Sequence, residues 1–140
     1  MISDTHDRVP AGLFSRLSKA DEVWHLGDVC NAMVFDHLEG GLTKFIAVLG
    51  NCDALPMVPL TRDLEREGAR FHLEHIPPRS VPRGTDFVLH GHTHVPRDEM
   101  VRGVRWLNPG CISNANRGAP AGFGWLVHDG KEWSWRIELL

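Results

Sequence analysis

Hydrophobic positions near the start of the chain follow the period of an amphipathic helix. Leu13, Phe14 and Leu17 recur at intervals that place them on one helical face. Pro10 suits the first turn of such a helix, because proline lacks a backbone N–H that this turn would leave unpaired. The pattern therefore predicts a helix over residues 10–20.

The segments that follow alternate between short apolar runs and a second helical pattern. Residues 22–26 and 44–49 are apolar runs that predict strands. Between them, Asn31 can cap a helix over residues 32–39, and Gly40-Gly41 is expected to end it. This repetition of strand, loop and helix predicts an α/β fold with parallel strands.

The second half of the chain predicts hairpins. Residues 61–67 fit either a short helix or the first strand of a hairpin that turns at Glu67-Gly68. Residues 86–89 predict another strand, and a strand over residues 100–107 is interrupted by Gly103. Further along, Asp129-Gly130 signals a type I′ hairpin turn, and alternating apolar residues after it predict a strand with one buried face. Parallel units followed by hairpins predict two mixed sheets packed face to face, with helices outside.

Composition narrows the class of protein without identifying it. A chain of 140 residues is expected to form a single domain over residues 1–140. The net charge is −3 and no basic run is present, which argues against extended binding along nucleic acid. No apolar stretch approaches the length of a membrane span, and the start of the chain lacks an export leader. Three widely spaced cysteines favour reduced thiols and a cytoplasmic location.

Metal-binding side chains follow the predicted strands in a regular order. The short motifs are Asp4-Thr5-His6, Gly27-Asp28, Gly50-Asn51, His75 and Gly91-His92-Thr93-His94. Together they supply two carboxylates, one amide oxygen and four imidazoles, enough for two divalent cations that share one carboxylate. Such ligands suit Mn²⁺, Fe²⁺, Co²⁺, Ni²⁺ or Zn²⁺ better than Ca²⁺ or Cu⁺. A paired centre of this kind is typical of hydrolysis at phosphorus.

The same motifs, extended by Ser3 and by Asn108-Pro109-Gly110, resemble the signature of calcineurin-like metallophosphoesterases. The resemblance runs from residue 2 to about residue 139, and it is to the small single-domain bacterial and archaeal phosphodiesterases. It implies an α/β fold: a four-layer αββα sandwich of two mixed β-sheets flanked by helices. It also favours the hairpin over the helix for residues 61–75.

The resemblance implies a role for each candidate residue. Asp4, His6 and His94 would bind a first cation, Asp28 would bridge, and Asn51, His75 and His92 would complete the second. His72 is the alternative to His75, which is preferred because it closes its strand. Mn²⁺ is the expected metal, and a metal-bound hydroxide would attack a small phosphodiester. Asp28, Asn51 and His92 are the expected catalytic residues, and Asn51 and Arg79 are expected to contact substrate, with Arg83 and Arg117 as further candidates.

Two departures from the family pattern bear on activity. Cys52 stands where many members carry a histidine thought to assist the leaving group, which predicts a slow or selective enzyme. The first strand is very short, so Asp4 and His6 are expected to hang from a weakly anchored, apparently truncated segment. Two alternatives to a phosphodiesterase stay open: a phosphomonoesterase or nucleotidase, and a non-catalytic scaffold like the retromer scaffolding subunit.

Overall fold

The structure is a computed structural model that describes residues 1–113 and 118–140. Its helices are α1 (Leu13–Leu17) and α2 (Ala32–Gly41). Its strands are β1 (Val23–His25), β2 (Phe45–Ala47), β3 (Thr61–Arg66), β4 (Ala69–Glu74), β5 (Phe87–Leu89), β6 (Arg97–Val101), β7 (Val104–Asn108), β8 (Gly122–His128) and β9 (Trp133–Leu139). No helix in the described part of the chain is long and apolar enough to cross a membrane.

The first sheet is held together by the first residues of the chain. β1 pairs with β2 in parallel, and β8 pairs with β9 antiparallel. Between these pairs, Ile2 donates its N–H to the Trp24 carbonyl and accepts from Leu26, while Met1 exchanges backbone hydrogen bonds with Gly124. Ile2 is fully buried. The expectation of a weakly anchored segment is therefore wrong, because this short run is hydrogen-bonded to strands on both sides.

The second sheet has the order β3-β4-β5-β7-β6. β3 and β4 form the predicted hairpin, with Thr61 opposite Glu74, whereas β4, β5 and β7 run in parallel. The strand predicted over residues 100–107 is instead a hairpin of β6 and β7 that turns at Arg102 and Gly103, both with positive φ. Gly103 thus reverses the chain direction and does not merely interrupt one strand.

Alternate residues of β1 face two different cores. Val23 packs with Ile2, Leu13 and Leu38 in a cluster that includes both helices, whereas Trp24 packs with Phe71 in a cluster between the sheets. Each fully buried side chain of this size contributes about 1.5–3 kcal/mol relative to its exposed state. The predicted fold class, α/β with two packed mixed sheets, is confirmed, and both described helices lie against the first sheet.

Local sequence signals correctly predicted where α2 begins. They were wrong about where α2 ends and about the type of the last hairpin turn. Asn31 caps this helix as predicted, since its side chain accepts the Met33 N–H at 2.8 Å. The helix continues through Gly41, where a side chain would collide with the Phe14 ring. The last hairpin forms, but its turn is centred on Gly130 and Lys131 and only Gly130 of these has positive φ, so the type I′ assignment is wrong.

Candidate metal centre

The seven candidate ligands converge at the edge of the sheets where the parallel strands end. The segment Met1–Ser3, β1 and β2 run in one direction, as do β4 and β5, so the loops after them emerge together. These loops carry all seven of the residues proposed from the motifs, namely Asp4, His6, Asp28, Asn51, His75, His92 and His94. In the structure these seven side chains form one cluster, in which neighbouring side chains contact each other.

The floor of the site consists of Asp4, Asp28 and His75. Their exposed fractions are 0%, 3% and 2%, and one ligand atom of each lies within 4.8 Å of the others. Asp28 Oδ2 is 3.4 Å from His75 Nε2, and Asp28 Oδ1 accepts the Cys52 N–H at 2.9 Å. Two buried carboxylates this close together repel each other unless positive charge lies between them.

His75 is oriented by a backbone carbonyl under the floor. Its Nδ1–H donates to the Leu26 carbonyl at 2.7 Å, which leaves Nε2 free to face Asp28 and Asn51. Burial lowers the pKa of His75, but hydrogen bonds to Asp28 and Leu26 outweigh it and the pKa is raised. Burial likewise raises the pKa of Asp28, and the hydrogen bonds from His75 and Cys52 outweigh it, so that pKa is lowered. A metal-binding histidine usually has its second nitrogen tied in this way.

Asp4 carries a buried oxygen without a donor. Ser3 Oγ donates to Asp4 Oδ2 at 2.5 Å, but Oδ1 is buried and receives no hydrogen bond from the described residues. Burial raises the pKa of Asp4, against the Ser3 hydrogen bond. His94 Nε2 lies 3.1 Å from this oxygen but forms no hydrogen bond with it. A buried charged oxygen that receives no hydrogen bond costs considerable free energy, and a bound cation would remove that cost. The residues present therefore fit a divalent cation.

The remaining ligands form two groups around the floor. On one side His6 Nε2 lies 3.1 Å from His94 Nε2, which is 3.1 Å from Asp4 Oδ1. His6 Nε2 is also 3.8 Å from Asp28 Oδ2. On the other side, Asn51 Oδ1 is 3.1 Å from His75 Nε2 and 2.8 Å from His92 Nδ1. Asp28 stands between the groups, as a bridging ligand would.

Backbone strain is concentrated at these residues. Ten non-glycine residues in the described chain have positive φ, and five are candidate ligands, with φ of 57° at Asp4, 45° at His6, 61° at Asp28, 65° at His92 and 59° at His94. Asp and His tolerate this left-handed region better than most residues. Such conformations still cost about 1–3 kcal/mol each and persist where the surrounding structure imposes them, typically at functional sites.

Two glycines let the ligand loops approach each other closely. A side chain at Gly50 would collide with the backbone and carboxylate of Asp28, and one at Gly91 would collide with Ser3 and Asp4. The glycines of the Gly50-Asn51 and Gly91-His92 motifs are therefore required by packing within the site.

Two polar side chains fasten these loops together. Asp53 accepts N–H groups from Gly50 at 2.7 Å, Asp28 at 3.0 Å and Cys30 at 2.6 Å. Asn108 donates to the Gly91 carbonyl at 2.8 Å. Both side chains bind the backbone of the ligand loops, whereas the Leu26 carbonyl accepts the ring N–H of His75.

Two other histidines support the site from below. His25 is fully buried, lies 2.7 Å from Thr5 Oγ1 and accepts the Gly27 N–H at 3.1 Å through Nδ1. Burial lowers its pKa to about 3. His90 is also buried, with a pKa lowered to about 4 by burial, and its ring lies beside Arg97 at 3.3 Å. Neither belongs to a described group of candidate ligands.

The other predicted residues that the structure describes make no hydrogen bond or ion pair with the cluster. His72 is held by Asp63 at 2.7 Å and Glu74 at 3.3 Å, so it is engaged elsewhere while His75 reaches the site. Arg79 and Arg83 are exposed on the loop after β4, and no hydrogen bond or ion pair among the described residues ties either to the cluster. Arg117 lies outside the described residues.

Two thiols lie at the mouth of the site, and the motifs predicted neither of them as a metal ligand. Cys30 Sγ is 3.5 Å from His6 Nδ1, and Cys30, Cys52 and His6 each place a ligand atom within 4.8 Å of the others. Burial, then Cys52 and nearby carboxylates, raise the pKa of Cys30 to about 12. Only the position of each cysteine beside a motif loop pointed to this arrangement.

Known proteins similar to this chain are named as phosphoesterases. Residues 1–131 match the family model described as the calcineurin-like phosphoesterase superfamily domain. A probable metallophosphoesterase of Methanocaldococcus jannaschii is 34% identical over 127 residues, covering 79% of this chain and 65% of that protein. The chain thus spans about two thirds of that relative. The phosphodiesterase YfcE of Escherichia coli is 32% identical over 158 residues, covering 91% of this chain and 85% of that protein.

Solved structures agree on the architecture. An archaeal phosphodiesterase superposes with a TM-score of 0.81 at 25% identity, covering 98% of this chain and 97% of that one. Vps29 of Entamoeba histolytica, solved in complex with Zn²⁺, has a TM-score of 0.76 at 22% identity over 98% and 94% of the two chains. The second likeness shows the shared fold alone.

Proposed function

Because this chain belongs to the calcineurin-like phosphoesterase superfamily, we propose that it is a dinuclear metal-dependent phosphodiesterase acting on a small organic phosphate ester. The relatives named phosphodiesterase and metallophosphoesterase support a phosphoester hydrolase. The three cysteines form no disulfide among the described residues, which favours work in a reducing compartment such as the cytoplasm.

The observation that carries the proposal is the buried floor. Asp4 Oδ1 is buried and receives no hydrogen bond from any described residue, Asp28 and His75 lie within reach of Asp4, and the other candidate ligands adjoin this floor. Such a cluster is costly in the absence of cations, because carboxylates are desolvated and backbone strain is maintained. Cation binding is the function that explains both costs together.

Each residue has a specific task in this proposal. Asp4, His6 and His94 would hold one cation and Asn51, His75 and His92 the other, with Asp28 shared. Two divalent cations, Mn²⁺ by our proposal, would supply Lewis-acid polarisation of the phosphoryl group and a water of lowered pKa. Asn51 contributes a neutral oxygen, so the negative charge of the ligands is smaller than the positive charge of two divalent cations. That balance favours an anionic phosphate ester.

The protein residues also determine how the substrate is held and released. Asn51 and His92 are exposed, so they can contact the phosphate from the solvent side. Cys52 occupies the neighbouring exposed position, where a thiol is a poor proton donor to an alkoxide. We therefore propose that the best substrates have leaving groups that need little protonation. Arg79 is the proposed additional phosphate contact on the neighbouring loop.

The alternative of a non-catalytic scaffold rests on the shared fold with Vps29. The complete set of ligand types in one cluster favours catalysis here, whereas the named relatives favour a diester over a monoester. One set of assays distinguishes the proposed phosphodiesterase from both a scaffold and a phosphomonoesterase.

The decisive experiment compares metal content with turnover. Protein stripped of metal and reloaded with Mn²⁺ is assayed on bis-p-nitrophenyl phosphate and on p-nitrophenyl phosphate. We expect Mn²⁺-dependent hydrolysis of the diester that is lost in Asp28→Asn and kept in Asp21→Asn, a matched change at an exposed carboxylate. Bound metal without turnover would favour the scaffold, and preference for the monoester would favour the phosphomonoesterase.

A further inference from the structure

His6 faces two different sets of ligand atoms with its two ring nitrogens. Its Nε2 points to the floor, 3.1 Å from His94 and 3.8 Å from Asp28. Its Nδ1 points the other way, 3.5 Å from the Cys30 thiol. A ligating histidine usually donates its second N–H to an oxygen acceptor, as His75 does here, so a thiol in this place is unusual.

The spacing on the Nδ1 side matches a tetrahedral metal site. A cation bound to sulfur at about 2.3 Å and to nitrogen at about 2.0 Å separates these atoms by about 3.5 Å. Cys30 Sγ and His6 Nδ1 are 3.5 Å apart. Two sulfur ligands of one such cation lie about 3.8 Å apart, and all three ligand atoms of His6, Cys30 and Cys52 lie within 4.8 Å of one another. The side chains need only small rotations to surround an ion.

Charge and access both favour a cation at this position. Asp28, Asp53 and Asp7 all act electrostatically on Cys30 with negative charge. Cys52 is exposed and Cys30 is half-buried, so an ion can enter from solvent. The loops that carry the thiols are already joined through Asp53, which accepts N–H groups from both Cys30 and Gly50. The two sulfurs are therefore held near each other by the fold itself.

We propose that Cys30, Cys52 and His6 Nδ1 form an outer site for a thiophilic divalent cation such as Zn²⁺ or Cd²⁺. Thiolate ligands select such ions over Mn²⁺, which prefers oxygen and nitrogen. The outer site shares His6 with the inner centre and lies beside Asn51. Cation binding releases the thiol protons of Cys30 and Cys52 to solvent. Because a neutral imidazole has one unprotonated nitrogen, His6 that binds the outer cation through Nδ1 no longer binds the inner one through Nε2. Occupancy of the outer site therefore inhibits the hydrolysis, a consequence that rests on the function proposed above.

Binding is tested first, without reference to activity. Cd²⁺ is titrated into reduced protein already loaded with Mn²⁺, and sulfur-to-cadmium charge-transfer absorption in the ultraviolet is recorded. The inner centre contains no sulfur ligand, so the band reports the outer site alone. We expect saturation at about one Cd²⁺ per chain, because the described residues form one three-ligand group that contains thiols. No band, or a band that never saturates, overturns the proposal.

Three single variants assign the ligands. Because loss of a group that merely supports a ligand costs about 10–100-fold in affinity, Cys30→Ser and Cys52→Ser should each weaken Cd²⁺ binding at least about a hundredfold. Cys111→Ser is the matched control, since it removes the buried thiol and should leave the band unchanged. Circular dichroism verifies that each variant folds, and Cys30→Ala and Cys52→Ala replace any serine variant that does not. A band retained in folded variants of both Cys30 and Cys52 refutes the site.

Inhibition is measured separately on the Mn²⁺ enzyme. We expect Zn²⁺ to inhibit bis-p-nitrophenyl phosphate hydrolysis, and the Cys30→Ser, Cys52→Ser double variant to need at least about tenfold more Zn²⁺ for the same effect. A cadmium band without any Mn²⁺-dependent turnover would retain the outer site and reject the enzymatic function. A band with turnover that Zn²⁺ inhibits equally in both proteins would reject the inhibitory role.

Discussion

The floor and the rim of the site are built by different means. The floor residues Asp4, Asp28 and His75 are almost completely buried, and backbone groups or Ser3 fix their side chains. On the rim, Asn51, Cys52 and His92 are exposed; they contact one another and also reach the floor at His75 and Asp28. Rigid burial prepares the floor to hold cations, whereas an open rim leaves room for a substrate. Changes to the floor should therefore alter metal occupancy and stability, and changes to the rim should alter turnover.

The largest effect should follow from removing the shared carboxylate of the floor. Asp28→Asn leaves both groups of ligands without their common anionic member. Metal ions supply several kcal/mol of transition-state stabilisation, so we expect the rate to fall by about a thousandfold or more. Steady-state assays and metal analysis measure it, and unchanged metal content with unchanged turnover would contradict the assignment.

The free energy of unfolding should depend on pH through His25, which supports the floor. Its pKa is lowered to about 3, against about 6.5 in an unfolded chain. Between these values the unfolded state binds more protons, so the free energy of unfolding is fully retained above about pH 6.5 and decreases as pH falls toward 3. Between pH 6.5 and 4 this amounts to about 3 kcal/mol. Denaturant unfolding of metal-free protein measures the slope, which His25→Gln should reduce; an equal slope in that variant would exclude His25 as the cause.

A smaller loss, in Mn²⁺ affinity, should follow from weakening the Asp53 contacts that join the floor and the rim. Asp53→Asn weakens the acceptor that binds three backbone N–H groups of the ligand loops. Because supporting contacts contribute about 10–100-fold to metal affinity, we expect a loss in that range. Calorimetric titration of Mn²⁺ measures it. Asp63→Asn, which removes a carboxylate partnered only with His72 away from the site, is the control and should bind Mn²⁺ normally.

Replacing Asp4 should have opposite effects on the stability of the metal-free protein and on its stabilisation by metal. In metal-free protein its buried Oδ1 receives no hydrogen bond from the described residues and is destabilising, so Asp4→Asn should raise the free energy of unfolding by about 1–3 kcal/mol. The same variant should lose stabilisation by Mn²⁺, because it lacks the anionic ligand. Thermal unfolding with chelator and with Mn²⁺ tests both parts, and a variant less stable than the wild type in chelator would contradict the interpretation.

The smallest effect is expected on the rim. Cys52→His introduces a better proton donor beside the substrate, so we expect kcat to rise by about tenfold for a diester with a poor leaving group. A diester with a p-nitrophenyl leaving group should change little. The pair of substrates distinguishes proton donation from altered metal binding, and equal responses to both substrates would argue against a missing acid.

Short-range signals were reliable wherever a single backbone feature determines the outcome. Asn31 caps α2 because its side chain reaches an N–H two residues away, and the hairpin of β3 and β4 turns at Glu67-Gly68 as one of its two readings indicated. The ends of elements were less predictable. Gly41 stays in α2 because Phe14 packs against it, and a contact between such distant residues has no local signature.

The sequence alone determined the types and order of the candidate ligands, since each motif places a carboxylate, amide or imidazole after a predicted strand, and three of the five motifs pair it with a glycine. It also indicated the family and the α/β class. Tertiary structure decided how firmly the first residues are held, which oxygen of Asp4 lacks a donor, and that Cys30 faces His6. These features depend on strands that are distant in sequence but adjacent in the sheets. They therefore cannot be predicted from periodicity or spacing along the chain.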